Sequence, residues 1–441
     1  MRFVGEEDST IGAIPLIDLL DSTYAGFSGG LYPNASNDMP DRHFLEGLRR
    51  AVRVRPLDAE GNPDPANGAM VFLSMGISHT TQEFCAPSSS FAGDCNPWTF
   101  MGQAATDPEV NHTTLVIANG ASGGTGPEEY DDLTDPDYDR IRDEWLTPLG
   151  VTEAQVQVVW GKFGNKKSTD RPLLPDPNAD AYLLQAELAA ISRTMKQRYP
   201  NLQMVFWTSR SYAGYARATS HTPEPYAYEG GFGVKWVVES QINQMDTGLI
   251  DDTSGDLDYT TVAPWIAWGP YFWADGVIPR SDGITWPREM FEGGGSHPSR
   301  KGEEQAADML MDFFKTSPHA RPWFFEPTVT LSLIPPEGPI EIPEEGGSIE
   351  IQIEIANVSD EEQVVDAWSL NTKPGGGTVA GFGPITLTLS PGQVKSRTLI
   401  QEVPAGAPEG SYRYDAWLGS YHSDLRQAVV LSGDGFPYSK R

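Results

Sequence analysis

The chain has 441 residues, more than one ordinary domain of roughly 100–200 residues accommodates, and we expect two domains. Hydrophobic residues make up 39% of the chain, enough for a large core, while no apolar run approaches the roughly 20 residues of a membrane span. The formal net charge of −30 repels polyanions, so we expect neither a nucleic-acid partner nor membrane insertion.

The N-terminus carries Glu6, Glu7 and Asp8 ahead of its first apolar stretch, and no basic segment leads to a cleavage site. No signal peptide is visible in this chain. The two cysteines, Cys85 and Cys95, bracket a short Ser- and Gly-rich stretch without a histidine that would complete a metal site. This spacing favours a disulfide over a pair of free buried thiols, and a disulfide implies an oxidising compartment. We therefore expect a secreted or periplasmic protein, present here in its mature form.

Short apolar runs alternate with helical patterns over the first three quarters of the chain. A helix is predicted over 180–199, where Leu184, Leu188, Ile191 and Met195 recur at helical spacing, and another over 301–315. Runs bounded by such helices are typical of parallel strands buried on both faces. The strands are predicted at 69–73, 115–118, 156–160 and 204–207. The pattern predicts an α/β domain over residues 1–324, with helices on both sides of the sheet.

Strand alternation replaces helical periodicity after Phe325, most clearly over 348–355. Further strands are predicted at 385–389, 396–401 and 411–418, separated by turns rich in Gly and Pro. About 110 residues of this kind predict an all-β sandwich, Ig-like or fibronectin-like, over residues 325–441.

A serine follows the first strand directly, in the stretch Gly76-Ile77-Ser78-His79-Thr80. Open α/β sheets bind ligands at the carboxyl ends of their strands, so Ser78 stands where a nucleophile would act. A serine hydroxyl needs an imidazole to take its proton, and Ser296-His297-Pro298-Ser299 supplies one in a Gly-rich loop before the last helix of the domain. By itself, each stretch also fits an ordinary helix cap or loop.

Together, four blocks in chain order resemble the SGNH (GDSL-like) hydrolases, over about residues 12–324. The Ser78 stretch matches the family's Gly-Asp-Ser-x-Thr block with Ile77 in place of Asp. Asn119-Gly120 ends the second strand, and the third and fourth blocks are the stretch 160–165 and the His297 loop. The resemblance implies a flavodoxin-like three-layer α/β/α domain with a parallel sheet. It also implies Ser78 as nucleophile, His297 as base, and an oxyanion hole formed by Ser78, Gly120 and Asn165.

One departure from the family concerns the acid of the triad, because the position three residues before the histidine, usually Asp, is Gly294. Glu292 is the first candidate to replace it, and Asp275 and Asp282 are alternatives in the same long loop. A Ser-His dyad oriented by a backbone carbonyl is a further alternative.

The aromatic stretch 265–273 precedes the His297 loop, and we predict substrate contacts for Trp273 and, after the fourth strand, for Arg210 and Tyr212. The sequence shows no metal-binding, phosphate-binding or dinucleotide motif, and we expect neither metal nor cofactor. The resemblance to the SGNH hydrolases implies a carboxylic-ester hydrolase. That analogy, with the aromatic residues and the appended sandwich, leads us to expect a small-molecule or polysaccharide ester as substrate, for example acetyl groups on a glycan. The rival hypothesis is a weakened or inactive SGNH-like domain that binds a glycan or a protein.

Overall fold

The structure is a computed structural model that describes residues 7–89 and 91–441, with the backbone alone at Ala92. Glu6 and the residues before it, on which the expectation about the leader partly rests, lie outside the described residues. The chain divides into two compact units. The first comprises the residues up to His43 and Arg55–Phe314, and the second comprises Phe44–Val54 and Lys315–Arg441.

Nine α-helices are present in the described residues: α1 Leu16–Leu19, α2 Asp41–Ala51, α3 Ser78–Phe84, α4 Phe100–Ala104, α5 Pro136–Arg140, α6 Asp180–Arg198, α7 Tyr226–Thr247, α8 Arg300–Thr316 and α9 Arg321–Phe324. A π-helical turn, Ile141–Leu146, continues α5. The first seven strands are β1 Thr23–Tyr24, β2 Phe27–Ser28, β3 Met70–Gly76, β4 Leu115–Asn119, β5 Val156–Lys162, β6 Met204–Trp207 and β7 Trp265–Trp268. No helix in the part of the chain that the structure describes is long and apolar enough to cross a membrane.

Five parallel strands form the sheet of the first unit, in the order β4-β3-β5-β6-β7. The strands β3, β5, β6 and β7 are buried along their whole length, as expected for a parallel sheet that is covered on both faces. The chain passes from β3 to β4 on one side and then returns to β5 on the other. Ligands bind in such sheets where the strand order reverses, so the carboxyl ends of β3 and β5 mark the expected site.

The helix α7 and the strand β7 were not expected from the sequence. Three glycines in α7, Gly230, Gly231 and Gly233, lower its helical propensity. A Cβ at Gly233 would lie 2.8 Å from the Ala181 carbonyl oxygen, so this glycine allows α7 to pack closely on α6. The packing of the two helices therefore outweighs the local propensity.

The second unit contains two sheets that are antiparallel except where β9 pairs parallel to β16. Their strands are β8 Val329–Ile334, β9 Glu341–Ile342, β10 Gly346–Asn357, β11 Gln363–Thr372, β12 Thr378–Ala380, β13 Ile385–Leu389, β14 Val394–Pro404, β15 Gly410–Ser420 and β16 Val429–Lys440. One sheet has the order β14-β10-β8, and the other has the order β12-β11-β15-β16-β9, with β13 paired to β11. Along β10, buried isoleucines alternate with exposed glutamates, and they share one apolar core with residues of both sheets. The prediction of sandwich-like β-sheets in the C-terminal part of the chain is confirmed, although the unit that holds them also includes Phe44–Val54, most of which belongs to α2, and the short helix α9.

The predicted disulfide is also confirmed. Cys85 is bonded to Cys95, with their Cα atoms 5.0 Å apart. Both cysteines are buried, and the bond closes the loop that follows α3.

Candidate active site

Ser78 is the first residue of α3 and lies just past the carboxyl end of β3. The turn between them depends on Gly76, whose φ is +151°, because a Cβ there would lie 2.3 Å from the carbonyl oxygen of Lys162. Thr80 Oγ1 donates a hydrogen bond of 2.9 Å to the same carbonyl and ties α3 to the end of β5. The turn thus presents Ser78 at the reversal of strand order.

His297 lies in a tight turn between Phe291 and α8. The amide of Glu292 donates to the His297 carbonyl at 2.9 Å, and the amide of Gly295 donates to the Glu292 carbonyl at 2.8 Å. Gly295 has a φ of +69°, and its ideal Cβ would lie 2.0 Å from the carbonyl oxygen of Tyr215. The Gly-rich sequence of this loop is therefore explained by its close approach to a neighbouring backbone.

The structure brings these two residues together across 219 positions of sequence. His297 Nε2 lies 2.9 Å from Ser78 Oγ, a distance at which the hydroxyl donates a hydrogen bond to the ring. Both side chains are half-buried. This is the contact that a general base needs in order to take the proton of a serine nucleophile.

The candidate acids do not contact the other ring nitrogen. In the described part of the chain, no carboxylate is hydrogen-bonded to His297 Nδ1. Glu292 is exposed, yet its charge is near enough to act on the pKa of His297. Both carboxylate oxygens of Asp275 accept from the amides of Ile11 and Gly12, and Asp282 is paired with Arg280. Ser78 and His297 thus form a hydrogen-bonded pair without a carboxylate on Nδ1 among the described residues, and Glu292 is the acid whose charge acts on His297.

The oxyanion donors differ from those expected. The Gly120 amide, the predicted donor, already donates to the Ser74 carbonyl at 3.1 Å, and a Cβ at Gly120 would clash with that same oxygen. The Ser122 amide donates a hydrogen bond to the Gly76 carbonyl, which holds the loop after β4 alongside the turn that carries Ser78. An ideal Cβ on Gly123 would lie 3.8 Å from the Cβ of Ser78.

Gly123 therefore lies beside Ser78, whereas the amide of Gly120 is engaged with the end of β3. The Ser78 amide is in the first turn of α3 and therefore has no acceptor within the helix. Sequence reasoning missed Gly123, although the Gly-rich stretch 120–126 directly after β4 is a visible signal.

Asn165, the other predicted oxyanion donor, has a different partner. Its buried side-chain amide donates to Asp180 Oδ1 at 3.0 Å and approaches the Asp180 carbonyl at 3.4 Å. Among the described residues, no hydrogen bond joins it to Ser78 or His297. The Asn165 side chain joins the chain after β5 to the start of α6, and its two N–H groups are not free for an oxyanion.

The three predicted substrate contacts are buried. Tyr212 is 1% exposed and its hydroxyl lies 3.1 Å from Ser9 Oγ, while Trp273 is fully buried and donates to Glu224 at 2.8 Å. Both belong to the interior and do not form a substrate surface. Arg210 is also buried, but Nη2 lies 2.9 Å from Nε2 of His79, the residue that follows the nucleophile. Arg210 is thus a buried neighbour of His79 and not a surface residue that could contact a substrate.

The pH dependence of the site follows from the surroundings of His297. Burial lowers its pKa below the ordinary 6.5, Glu292 opposes this, and Arg210 and His221 add to the lowering. Because only the neutral ring accepts the proton of Ser78, we expect kcat/KM for a neutral ester to rise with pH around a midpoint below 6.5. Glu292→Gln removes the charge that favours the imidazolium, and we expect its midpoint at lower pH still. A wild-type midpoint at or above 6.5, or a shift of the variant to higher pH, would contradict this assignment.

Comparisons with known proteins add no assignment. No protein-family model matches the chain, and no curated protein sequence does. The CARDB domain of PF1109 from Pyrococcus furiosus is 18% identical over 26% of this chain and 93% of its own, with a TM-score of 0.19. The alkylpurine DNA glycosylase AlkC of Pseudomonas fluorescens is 11% identical over 32% of this chain and 38% of its own, with a TM-score of 0.21. A Niemann-Pick type C2 protein from Japanese carpenter ant is 12% identical over 26% and 93%, with a TM-score of 0.19.

Proposed function

We propose that this chain is a serine hydrolase of carboxylic esters, with Ser78 as nucleophile and His297 as its base. The observation that carries the proposal is the distance of 2.9 Å between His297 Nε2 and Ser78 Oγ, at the carboxyl ends of the parallel strands. Ser78 and His297 are 219 positions apart in the sequence, so only the folded domain brings them into contact.

The proposed reaction proceeds in two steps. Ser78 Oγ attacks the acyl carbon as its proton passes to His297 Nε2, and that proton then leaves with the alcohol. Water attacks the acyl-serine, gives a proton to the same nitrogen, and releases the carboxylic acid as Ser78 is re-formed. In this proposal the amides of Ser78 and Gly123 donate to the oxyanion of each tetrahedral intermediate, and the proximity of Gly123 to Ser78 supports that role.

We further propose an SGNH-type α/β/α fold for the first unit, an Ig-like arrangement for the second and an extracytoplasmic location. The strand order β4-β3-β5-β6-β7 is the flavodoxin-like order, which supports the SGNH-type α/β/α interpretation. The sheets β14-β10-β8 and β12-β11-β15-β16-β9 agree with an Ig-like strand arrangement for the second unit. The disulfide supports an oxidising, extracytoplasmic compartment.

The substrate class is proposed no more narrowly than a carboxylic ester. An acylated polysaccharide was predicted partly from aromatic residues near the site. Since Tyr212 and Trp273 are buried, these rings lend that substrate no support.

The second candidate, a binding protein without turnover, is favoured by one observation, the lack of a carboxylate bonded to His297 Nδ1 among the described residues. Treatment of the intact protein with a fluorophosphonate probe separates the two functions. We expect phosphonylation mapped by mass spectrometry to the peptide containing Ser78, together with hydrolysis of p-nitrophenyl acetate. A protein that shows neither labelling nor turnover is the binding protein.

A further inference from the structure

A second imidazole lies directly against the Ser78–His297 pair. The rings of His79 and His297 are stacked, with centroids 5.0 Å apart and planes inclined by 26°. His79 is 4% exposed and directly follows Ser78 in the helix α3. The ring therefore covers one face of the proposed base.

Two polar groups meet at one atom of this ring. His79 Nε2 lies 2.5 Å from the carbonyl oxygen of Ser296, the residue before His297, and 2.9 Å from Arg210 Nη2. Arg210 is held in turn, since its Nη1 donates to the Thr222 carbonyl at 2.8 Å. A neutral ring uses Nε2 either to donate to Ser296 or to accept from Arg210. The ring is thus tied to the His297 loop or to a buried cation.

His79 is in its neutral form at neutral pH. Burial lowers its pKa well below 6.5, and the charges of Arg210 and Lys162 add to that lowering, against a smaller effect of the Ser296 carbonyl. A neutral neighbour matters because a charged ring stacked on His297 would oppose the uptake of the Ser78 proton. The surroundings of His79 suit it to hold His297 without competing for that proton.

We propose that His79 is the positioning residue of this site and orients His297 in the absence of a bonded triad acid. It does so through the stacked ring face and through Nε2, which either donates to the Ser296 carbonyl or accepts from Arg210. His79 touches neither the reacting atoms nor the proton in transit. The inference rests on the proposed esterase activity, and it adds a residue to that site for which sequence reasoning assigned no role.

The variants His79→Phe and His79→Gln test the inference. Phenylalanine keeps a stacked ring but loses both polar contacts, whereas glutamine can donate to Ser296 and accept from Arg210 at once. On p-nitrophenyl acetate we expect His79→Phe to lower kcat about 10- to 100-fold, the order of a small displacement of a catalytic group, with KM within about twofold. For His79→Gln we expect a decrease in log kcat no more than half as large as that of His79→Phe.

His43 offers a matched control. It is another buried histidine of the same unit, its Nε2 lies 2.8 Å from the Ile266 carbonyl, and its ring stacks on Trp265 at 4.9 Å. His43→Phe should lower the unfolding temperature to a similar extent while leaving kcat within about twofold. An equal loss of kcat in His43→Phe, or no loss in folded His79→Phe, would overturn the positioning role.

A second measurement separates this inference from the esterase proposal. The imidazole resonances of His297, observed by NMR at a pH above its titration, report the order of the ring whether or not the protein turns over esters. We expect His79→Phe to broaden or split them and His43→Phe to leave them unchanged. Unchanged resonances in His79→Phe exclude the positioning role, whereas absent turnover and labelling in the wild type exclude the esterase.

Discussion

Ser78→Ala and His297→Gln are each expected to lower kcat on p-nitrophenyl acetate by about 10⁴- to 10⁶-fold, with the double variant no worse than the more damaged single one. Each change removes one side of the 2.9 Å contact through which the hydroxyl loses its proton. Removal of either Ser78 or His297 blocks the same step, the attack on the acyl carbon. The two decreases in kcat are therefore not expected to multiply in the double variant. Single-turnover kinetics with intact-mass detection of the acyl-enzyme measures both the rate and the intermediate.

The control for this pair is Ser192→Ala. Ser192 is a buried serine of the same unit, and its hydroxyl donates to the Leu188 carbonyl within α6. It should lose some stability and keep its kcat. Losses in Ser78→Ala and His297→Gln that multiply in the double variant would show that the residues act independently and would contradict the dyad.

Gly294→Asp is expected to raise kcat at pH 7 by about tenfold or more, a fraction of the ~10⁴ that a triad Asp contributes in serine proteases. The position is three residues before His297, where the SGNH hydrolases that this chain resembles carry their acid. An ideal Cβ on Gly294 meets no atom within 4 Å, and its φ lies outside the left-handed region, so the turn accommodates a side chain. A carboxylate there would also stabilise the imidazolium.

Two controls distinguish this gain from a general change in the loop. Gly293→Asp places the same charge on a neighbouring glycine that is equally open, and Gly294→Asn places an uncharged side chain of the same shape. Neither should match the gain. Because a carboxylate beside the ring raises the pKa of His297, the acid limb of kcat/KM should move to higher pH in Gly294→Asp alone. If kcat of Gly294→Asp is unchanged or lower and the acid limb of its kcat/KM profile does not move, the turn does not direct this carboxylate to the His297 ring.

Much of the α/β unit was predictable because its strands are local patterns. The apolar runs over 69–73, 115–118, 156–160 and 204–207 correspond to β3, β4, β5 and β6, and the predicted helices over 180–199 and 301–315 correspond to α6 and α8. The alternation over 348–355 lies within β10. The exceptions, α7 and β7, lack a local signal of that strength, since glycines interrupt the one and tryptophans obscure the other. Packing against neighbouring elements stabilises both.

The chemistry divides in the same way. The order of four short blocks, and the resemblance that they carry, led from the sequence to Ser78 and His297 as the proposed pair. The close spacing of Cys85 and Cys95 predicted the disulfide, which the structure contains. The partners of Gly120, Asn165 and Trp273 were decided only by the tertiary structure: Ser74, Asp180 and Glu224 satisfy those donors. A backbone or side-chain donor acts on a substrate only when no protein acceptor takes its hydrogen first. That competition runs between residues distant in sequence, so no local pattern reveals its outcome.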